Sequence, residues 1–190
     1  MKHKILFYTL LFYVSFSFAQ ERFESKTFGF SIDIPQGWKL NEYEADVPGN
    51  VKLSETEKQN LFKEGYHVYL GYLYKGSFTG LNPKIQFNIA LKHEENFDDF
   101  KKAVIASAKR INYLDNLKFT VQPTEITVAG IKSMYFAMTY TVEGSNKTIR
   151  SISYAIPFKN YMYQINFLDI PSDNDLLTLY SELIKTVKIK

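Results

Sequence analysis

Alternating apolar and polar residues, joined by very short turns, fill the second half of the chain. Strands are predicted at residues 118–121, 125–128, 131–142, 147–156 and 161–170, with turns at 129–130, 143–146 and 158–160. Because parallel neighbours need long crossover connections, turns of this length predict antiparallel pairing. This half of the chain therefore predicts a series of β-hairpins.

The first half contains three further strand patterns. Residues 28–34 alternate strictly, with four apolar side chains on one face, and Pro35-Gln36-Gly37 then supplies a turn. Trp38 follows this turn directly, where its ring can fold back onto the apolar face of the strand. Residues 66–74 and 84–92 form the other two strands, and the Gly- and Pro-containing stretch 76–83 is the loop between them.

Three segments carry helical signals. Ser54 and Glu57 have the spacing of a capping box, which predicts a short helix ending near Lys63. Asn96 is placed to cap a second helix, and Pro171 comes just before a third. Their inward apolar positions recur at steps of three and four: Phe97, Phe100, Val104, Ala108 and Ile111 in the second, and Leu176, Tyr180, Leu183 and Ile184 in the third.

Together these elements predict an α+β domain with an antiparallel β-sheet covered by helices on both faces, an α-β-α sandwich. The strand at 131–142 is apolar on both sides, as expected of a sheet that is covered twice. Met134, Phe136 and Met138 lie on one side, and Ile131, Tyr135 and Ala137 on the other. We therefore expect the two longer helices to pack on opposite faces.

Residues 1–19 have the three parts of a secretory signal peptide. Lys2 and Lys4 give a positive start, Ile5–Phe18 is apolar, and cleavage is expected after Ala19. The apolar run is shorter than the ~20 residues that a membrane-spanning helix needs. We thus expect residues 20–190 to form a single domain, a monomer located in the periplasm or secreted, with no integral membrane segment after cleavage.

Composition excludes several classes of function. The chain has no cysteine, which excludes a lipid anchor on cysteine, zinc sites built on thiolates and cysteine nucleophiles. Without Lys2 and Lys4, 21 basic residues stand against 20 acidic ones. A nucleic-acid-binding domain would carry a clear basic excess, so nucleic acid is not expected as a partner.

No motif in the sequence predicts catalysis, a metal or a cofactor. His93-Glu94 begins like the helix of zinc proteases, but Phe97 stands where the second histidine is required. Ser77 follows Gly76 directly, one place too early for a nucleophile elbow, and it lies in a predicted hairpin loop. We therefore assign no catalytic residue, no metal ligand and no cofactor.

Tyrosines are the one unusual feature that remains. Tyr66, Tyr69, Tyr72 and Tyr74 crowd a single predicted strand. Strict alternation puts Tyr66, Tyr72 and Tyr74 on one face and Tyr69 on the other. Aromatic rings with a polar tip suit binding surfaces, although they are also ordinary strand residues that pack in cores. These four tyrosines are the candidate binding surface.

The layout resembles the PsbP-like superfamily. Residues 28–38, Phe-Gly-Phe-Ser-Ile-Asp-Ile-Pro-Gln-Gly-Trp, are similar to the opening strand, proline-glycine turn and tryptophan of that family. Residues 128–131 lead into long hairpins, and the terminal helix runs into residues 188–190, as in the family. The resemblance implies an α-β-α sandwich around an antiparallel sheet and a non-enzymatic role, and it transfers no functional residue.

Two functions follow from these observations. The first is an exported, non-catalytic interaction domain that binds a protein or a small apolar ligand through the tyrosine-bearing strand. The second is an extracytoplasmic hydrolase whose carboxylates, for example Asp33 and a distant glutamate, are brought together by the fold. Sequence cannot separate the two, because such a pair needs to meet only in space.

Overall fold

The computed structural model describes residues 21–63, 67–76, 82–111, 114–142, 144, 146–171 and 175–190. In chain order its elements are β1 (Arg22–Ser25), β2 (Phe30–Asp33), β3 (Trp38–Asn41), α1 (Glu55–Leu61), β4 (His67–Lys75), β5 (Lys84–Leu91), α2 (Phe97–Arg110), β6 (Asp115–Val128), β7 (Ile131–Thr141), β8 (Thr148–Phe158), β9 (Tyr161–Asp169), α3 (Asp175–Leu183), a 3-10 turn (Ile184–Thr186) and β10 (Lys188–Ile189). The predicted signal peptide lies outside the described residues.

Seven strands form the main sheet, in the order β3-β4-β5-β9-β8-β7-β6, and every pair in it is antiparallel. The hairpins β6-β7, β7-β8 and β8-β9 confirm the pairing predicted from the short turns. Helices lie on both sides of this sheet, so the predicted α+β architecture is also confirmed.

A second, three-stranded sheet was not anticipated from the sequence. Its order is β1-β2-β10, so the first and last described strands both pair with β2. Arg22 of β1 stabilises the packing of this sheet against the 3-10 turn. Its guanidinium donates to Asp33, to Ser31 Oγ at 3.1 Å, and to the carbonyl of Thr186. The two ends of the domain are thereby held together.

The strand β6 differs from its prediction as two separate strands. It is one strand of 14 residues with three register irregularities against β7. Pro123 is tolerated within β6 because β6 lies at the edge of the sheet, where a missing N–H need not remove a ladder hydrogen bond. A proline in a central strand would have lacked this freedom.

The larger apolar core lies between the inner face of the main sheet, the small sheet and α3. Phe23 stacks on Phe87 with ring centroids 5.2 Å apart, and Phe30 packs against both Phe87 and Tyr163. The Tyr163 hydroxyl donates to the Phe28 carbonyl at 2.7 Å. These contacts join the small sheet to β5 and β9 of the main sheet.

Trp38 also belongs to this core, as its place after the turn predicted. It starts β3, is buried, and meets the ring of Tyr180 of α3 edge-on at 6.5 Å. Leu176, Tyr180, Leu183 and Ile184 are all buried, which confirms the predicted inward face of the last helix.

A second core lies on the outer face of the sheet, beneath α2. Asn96 caps this helix by accepting a hydrogen bond from the Asp99 amide at 3.0 Å. Phe100, Val104 and Ala108 are its buried residues. They pack against Met134, Phe136, Met138 and Ala155, so α2 and α3 cover opposite faces, as expected.

Among the described residues, none of the helices combines the length and the apolar character needed to cross a bilayer.

Candidate functional site

The candidate tyrosines lie on β4 beside a β-bulge. Tyr69 is opposite Asn88 of β5, but the register then shifts, and Tyr72 is opposite Gln86. Because Asn88 and Gln86 are two residues apart, they point to the same face, and so do Tyr69 and Tyr72. The prediction that Tyr69 points to the opposite face is therefore wrong.

Ring contacts confirm this arrangement. The centroids of Tyr69 and Tyr72 are 6.4 Å apart, and those of Tyr72 and Tyr74 are 6.0 Å apart. The three rings form one row along β4, and neither apolar core includes them. Tyr66, the fourth residue of the candidate surface, lies outside the described residues.

Gly71 makes the bulge possible. Its φ of +113° is unfavourable for residues with a side chain, and a Cβ built there would lie 2.6 Å from the Asn41 carbonyl oxygen of β3. The close approach of β3 and the position of the Tyr69 ring thus both depend on this glycine.

The row of tyrosines is anchored by polar partners on its border. The side chain of Asn41 donates to the Tyr72 hydroxyl at 3.0 Å, and the Tyr69 amide donates to the carboxylate of Asp46 at 2.6 Å. Burial raises the pKa of the Tyr69 phenol far above its usual value, with further contributions from Tyr72 and Glu44. Burial, and then Glu44, also raises the pKa of Tyr72. Phenols are neutral at ordinary pH, and these shifts keep both hydroxyls uncharged to still higher pH.

Beside the tyrosines, neutral amides extend across the next two strands. Asn88 of β5 is opposite Gln164 of β9, and Gln86 is opposite Asn166. All four side chains are half-buried. We call Tyr69, Tyr72, Tyr74, Gln86, Asn88, Gln164 and Asn166 the tyrosine–amide face. Sequence reasoning missed its amides, although their alternation with buried Ile85, Phe87, Ile89, Ile165 and Phe167 placed them on the outer face.

Among the described residues, the side chains of Gln86, Asn88 and Asn166 form no hydrogen bond within the protein. They are not among the buried polar atoms either, so water reaches them. These groups therefore supply donors and acceptors to any molecule lying on the face.

An apolar pocket of about 210 Å³ adjoins the tyrosine–amide face under α2. Its apolar walls are formed by Phe100, Val104 and Ala108 of the helix and by Phe136, Ala155 and Met162 of the sheet. Glu94 and Gln164 are polar residues of its lining. Gln164 belongs to both features, so the pocket and the face are continuous. An apolar cavity of ~150 Å³ is large enough to bind benzene, and this one therefore has room for a ring or a short alkyl chain.

A smaller cavity of about 160 Å³ lies elsewhere on the sheet, lined by residues that include Lys84, Tyr140 and Asp169. The Asp169 carboxylate is fully buried and forms a two-pronged ion pair with Arg150, whose Nε donates to it at 2.7 Å. Since this carboxylate is occupied by the guanidinium, the pair is best explained as part of the architecture of β8 and β9.

The residues considered for catalysis are scattered. Asp33 forms an ion pair with Arg22 in the small sheet, and its amide donates to Thr186 Oγ1 at 3.1 Å. His93 and Glu94 lie between β5 and α2. Across the described ranges, no group of three or more His, Asp or Glu side chains is arranged to hold a metal ion. Ser77 lies outside the described residues.

Comparison with known proteins gives relatives in structure but not in sequence. No family model matches the chain, and no curated protein matches its sequence. Cyanobacterial PsbP (CyanoP) from Synechocystis sp. is similar in structure, with a TM-score of 0.55, 8% identity, and coverage of 93% of this chain and 96% of that one.

Two further structures are similar. LpqN of Mycobacterium tuberculosis, a protein involved in cell envelope biogenesis, has a TM-score of 0.53 and 11% identity, with 92% of this chain and 87% of that one covered. A protein of Bacteroides thetaiotaomicron has a TM-score of 0.50 and 12% identity; 90% of this chain is covered, but only 48% of that one. At these identities the likeness concerns the fold.

The chain thus has the PsbP-like fold that the resemblance in its sequence implied.

Proposed function

We propose that this protein is an exported, non-catalytic binding domain that takes a small apolar group into the pocket under α2. The observation that carries the proposal is the continuity, at Gln164, between this apolar pocket and a sheet face on which Tyr72 is buried and the other tyrosines and the amides are half-buried. An apolar pocket with a few convergent polar groups is the usual form of a small-molecule site.

The pocket lies between a helix and a sheet, not inside one element. Phe100 and Ala108 reach it from α2, and Phe136 and Met162 reach it from β7 and β9. A ligand entering it exchanges contact with water for contact with apolar walls, which favours binding in proportion to the area buried. None of this requires a reactive group.

Ala103 offers a test that leaves the core atoms in place. Ala103 lines the pocket and is half-buried, whereas Ala106 on the same helix is exposed and is not part of its lining. Changing Ala103→Leu adds apolar volume to the pocket, and Ala106→Leu is the matched control on the same helix.

The measurement is the fluorescence of the neutral apolar probe N-phenyl-1-naphthylamine, titrated into each protein. We expect saturable binding to the unchanged protein and to Ala106→Leu, and binding weaker by about tenfold or more in Ala103→Leu, as expected when a pocket is partly filled. Equal affinity in all three proteins would remove the pocket from the proposal.

Export is part of the same proposal. It is supported by the charged start, the apolar run and the small residues ending at Ala19. Cell fractionation with mass spectrometry of the intact protein tests it. We expect the protein in the extracytoplasmic fraction with Gln20 as its first residue; a cytoplasmic protein that retains residues 1–19 would contradict export.

A further inference from the structure

The tyrosine–amide face has a chemical character distinct from the pocket beside it. Two rows of side chains cross the sheet on this side: Tyr69, Asn88, Gln164 and Ala155 in one, and Tyr72, Gln86, Asn166 and Ser153 in the other. Both rows are uncharged over four strands. They combine aromatic rings at one end, amides in the middle, and Ala155 and Ser153 at the other end.

Such a surface disfavours a charged ligand. An ionised group that gives up water needs an opposite charge or several hydrogen bonds to offset the loss. Charged groups near the rings are Lys84, whose Nζ lies 6.0 Å from the centroid of the Tyr72 ring, Glu44, whose charge raises the pKa of Tyr69 and Tyr72, and Asp46, which accepts a hydrogen bond from the Tyr69 amide. These groups lie at the tyrosine end, and Glu94 lies at the other end, in the lining of the pocket beside Gln164. The amide side chains between the two ends carry no charge.

The amides favour a ligand that both donates and accepts hydrogen bonds. A side-chain amide offers two N–H donors and one carbonyl acceptor, which matches a hydroxyl group on both counts. Phenols are neutral at ordinary pH, and burial raises the pKa of Tyr69 and Tyr72 further, so both offer uncharged hydroxyls beside ring faces suited to C–H contacts. A ligand that combines several hydroxyl groups with a ring bearing C–H surfaces is a saccharide.

The dimensions agree with this assignment. Strands in a sheet lie about 4.8 Å apart, so the span from β4 across β5 to β9 is roughly 10 Å, enough for roughly two linked sugar rings. A peptide that binds by adding a strand needs a free sheet edge, but β5 and β9 are central strands.

From these observations we infer that the tyrosine–amide face binds the neutral saccharide headgroup of an amphiphile whose apolar group enters the pocket under α2. This inference rests on the proposed function, because the pocket holds the apolar end. Gln164 lies at the junction, where the headgroup and the apolar group of one ligand would meet.

Three probes with the same apolar chain test this: octyl β-glucoside, octyl sulfate and octyltrimethylammonium, each titrated below its critical micelle concentration by calorimetry. The variant Asn88→Ala/Asn166→Ala removes two amides that have no partner in the described part of the protein, so its folding should be little changed. Gln122→Ala, at an exposed position of the edge strand β6, is the control.

We expect the glucoside to bind about tenfold or more tightly than either charged probe. The double variant should lose about tenfold or more of the glucoside affinity, the loss that two neutral hydrogen bonds imply, and no affinity for the charged probes. Gln122→Ala should bind all three probes as the unchanged protein does.

Two results would overturn the inference in different ways. If all three probes bind equally well, and Ala103→Leu weakens each of them, the pocket binds apolar chains but the face does not select saccharides. If Ala103→Leu leaves the glucoside affinity unchanged, the pocket is not used and the proposed function falls together with the inference.

Discussion

Gly71 is the residue of the candidate site at which we expect an added methyl group to destabilise the structure most. In Gly71→Ala, the new Cβ would lie 2.6 Å from the carbonyl oxygen of Asn41 and 3.5 Å from the Cα of Glu42. Both are backbone atoms, so relief requires a shift of β3 and the loop after it. The φ of +113° adds a conformational cost of its own.

The expected cost follows from these two terms. A residue with a side chain at positive φ loses about 1–2 kcal/mol, and forcing an extra carbon into a packed site costs about 1–3 kcal/mol. Gly71→Ala should therefore lower the free energy of unfolding by about 2–5 kcal/mol. Gly76 provides the control, because its φ is +89° but none of the described residues lies within 4 Å of an added Cβ; Gly76→Ala should lower the free energy of unfolding by about 1–2 kcal/mol.

Urea denaturation of the three proteins, followed by tryptophan fluorescence and far-UV circular dichroism, measures both costs. Trp38 is the only tryptophan, and it is in the core beside α3. We expect Gly71→Ala to be less stable than Gly76→Ala by at least about 1 kcal/mol. If the two variants unfold at the same urea concentration with the same slope, the contact with Asn41 does not constrain the bulge.

Two other perturbations have clear signs. Asp169→Asn leaves the buried guanidinium of Arg150 without its countercharge and should lower the free energy of unfolding by about 3–5 kcal/mol. The double variant Arg150→Met/Asp169→Leu removes both charges and should lower it much less. Thermal unfolding compares the two variants, and equal losses of stability would show that the unpaired charge is not the cause. Burial, and then Tyr135, raises the pKa of Tyr154 to about 12, so the stability that its neutral phenol contributes is complete below pH 10 and is lost as pH rises from 10 through 12. Tyr154→Phe should therefore lose less stability than the unchanged protein between pH 9 and 11.5 in denaturant titrations, and identical losses would contradict this.

The sequence by itself determined the features that depend on near neighbours in the chain. The capping box at Ser54 and Glu57 appears in the structure as predicted, and so does the Asn96 cap of α2. The hairpins β6-β7, β7-β8 and β8-β9 follow from turns of a few residues. Each of these is fixed within one helical turn or one short loop, so local chemistry was sufficient to predict it.

Alternation also predicted which strand residues face the two cores, with one instructive failure. It placed Met134 and Tyr135 on opposite sides of β7 correctly, because no bulge interrupts the alternation of side chains in that part of the strand. It failed at Tyr69 because the bulge at Gly71 inserts one residue, and an odd insertion moves every preceding side chain to the other face.

The position of the proposed binding site depends on tertiary contacts that the sequence does not reveal. The bulge depends on how β4 pairs with β5 and on how closely Asn41 of β3 approaches Gly71, and the sequence around Tyr69 records neither. The pairing of β1 and β10 with β2, and the meeting of the pocket with the amide rows at Gln164, likewise join segments far apart in the chain. Sequence periodicity describes the direction of a side chain within its own element, whereas a site depends on the register between elements, which only the folded packing fixes.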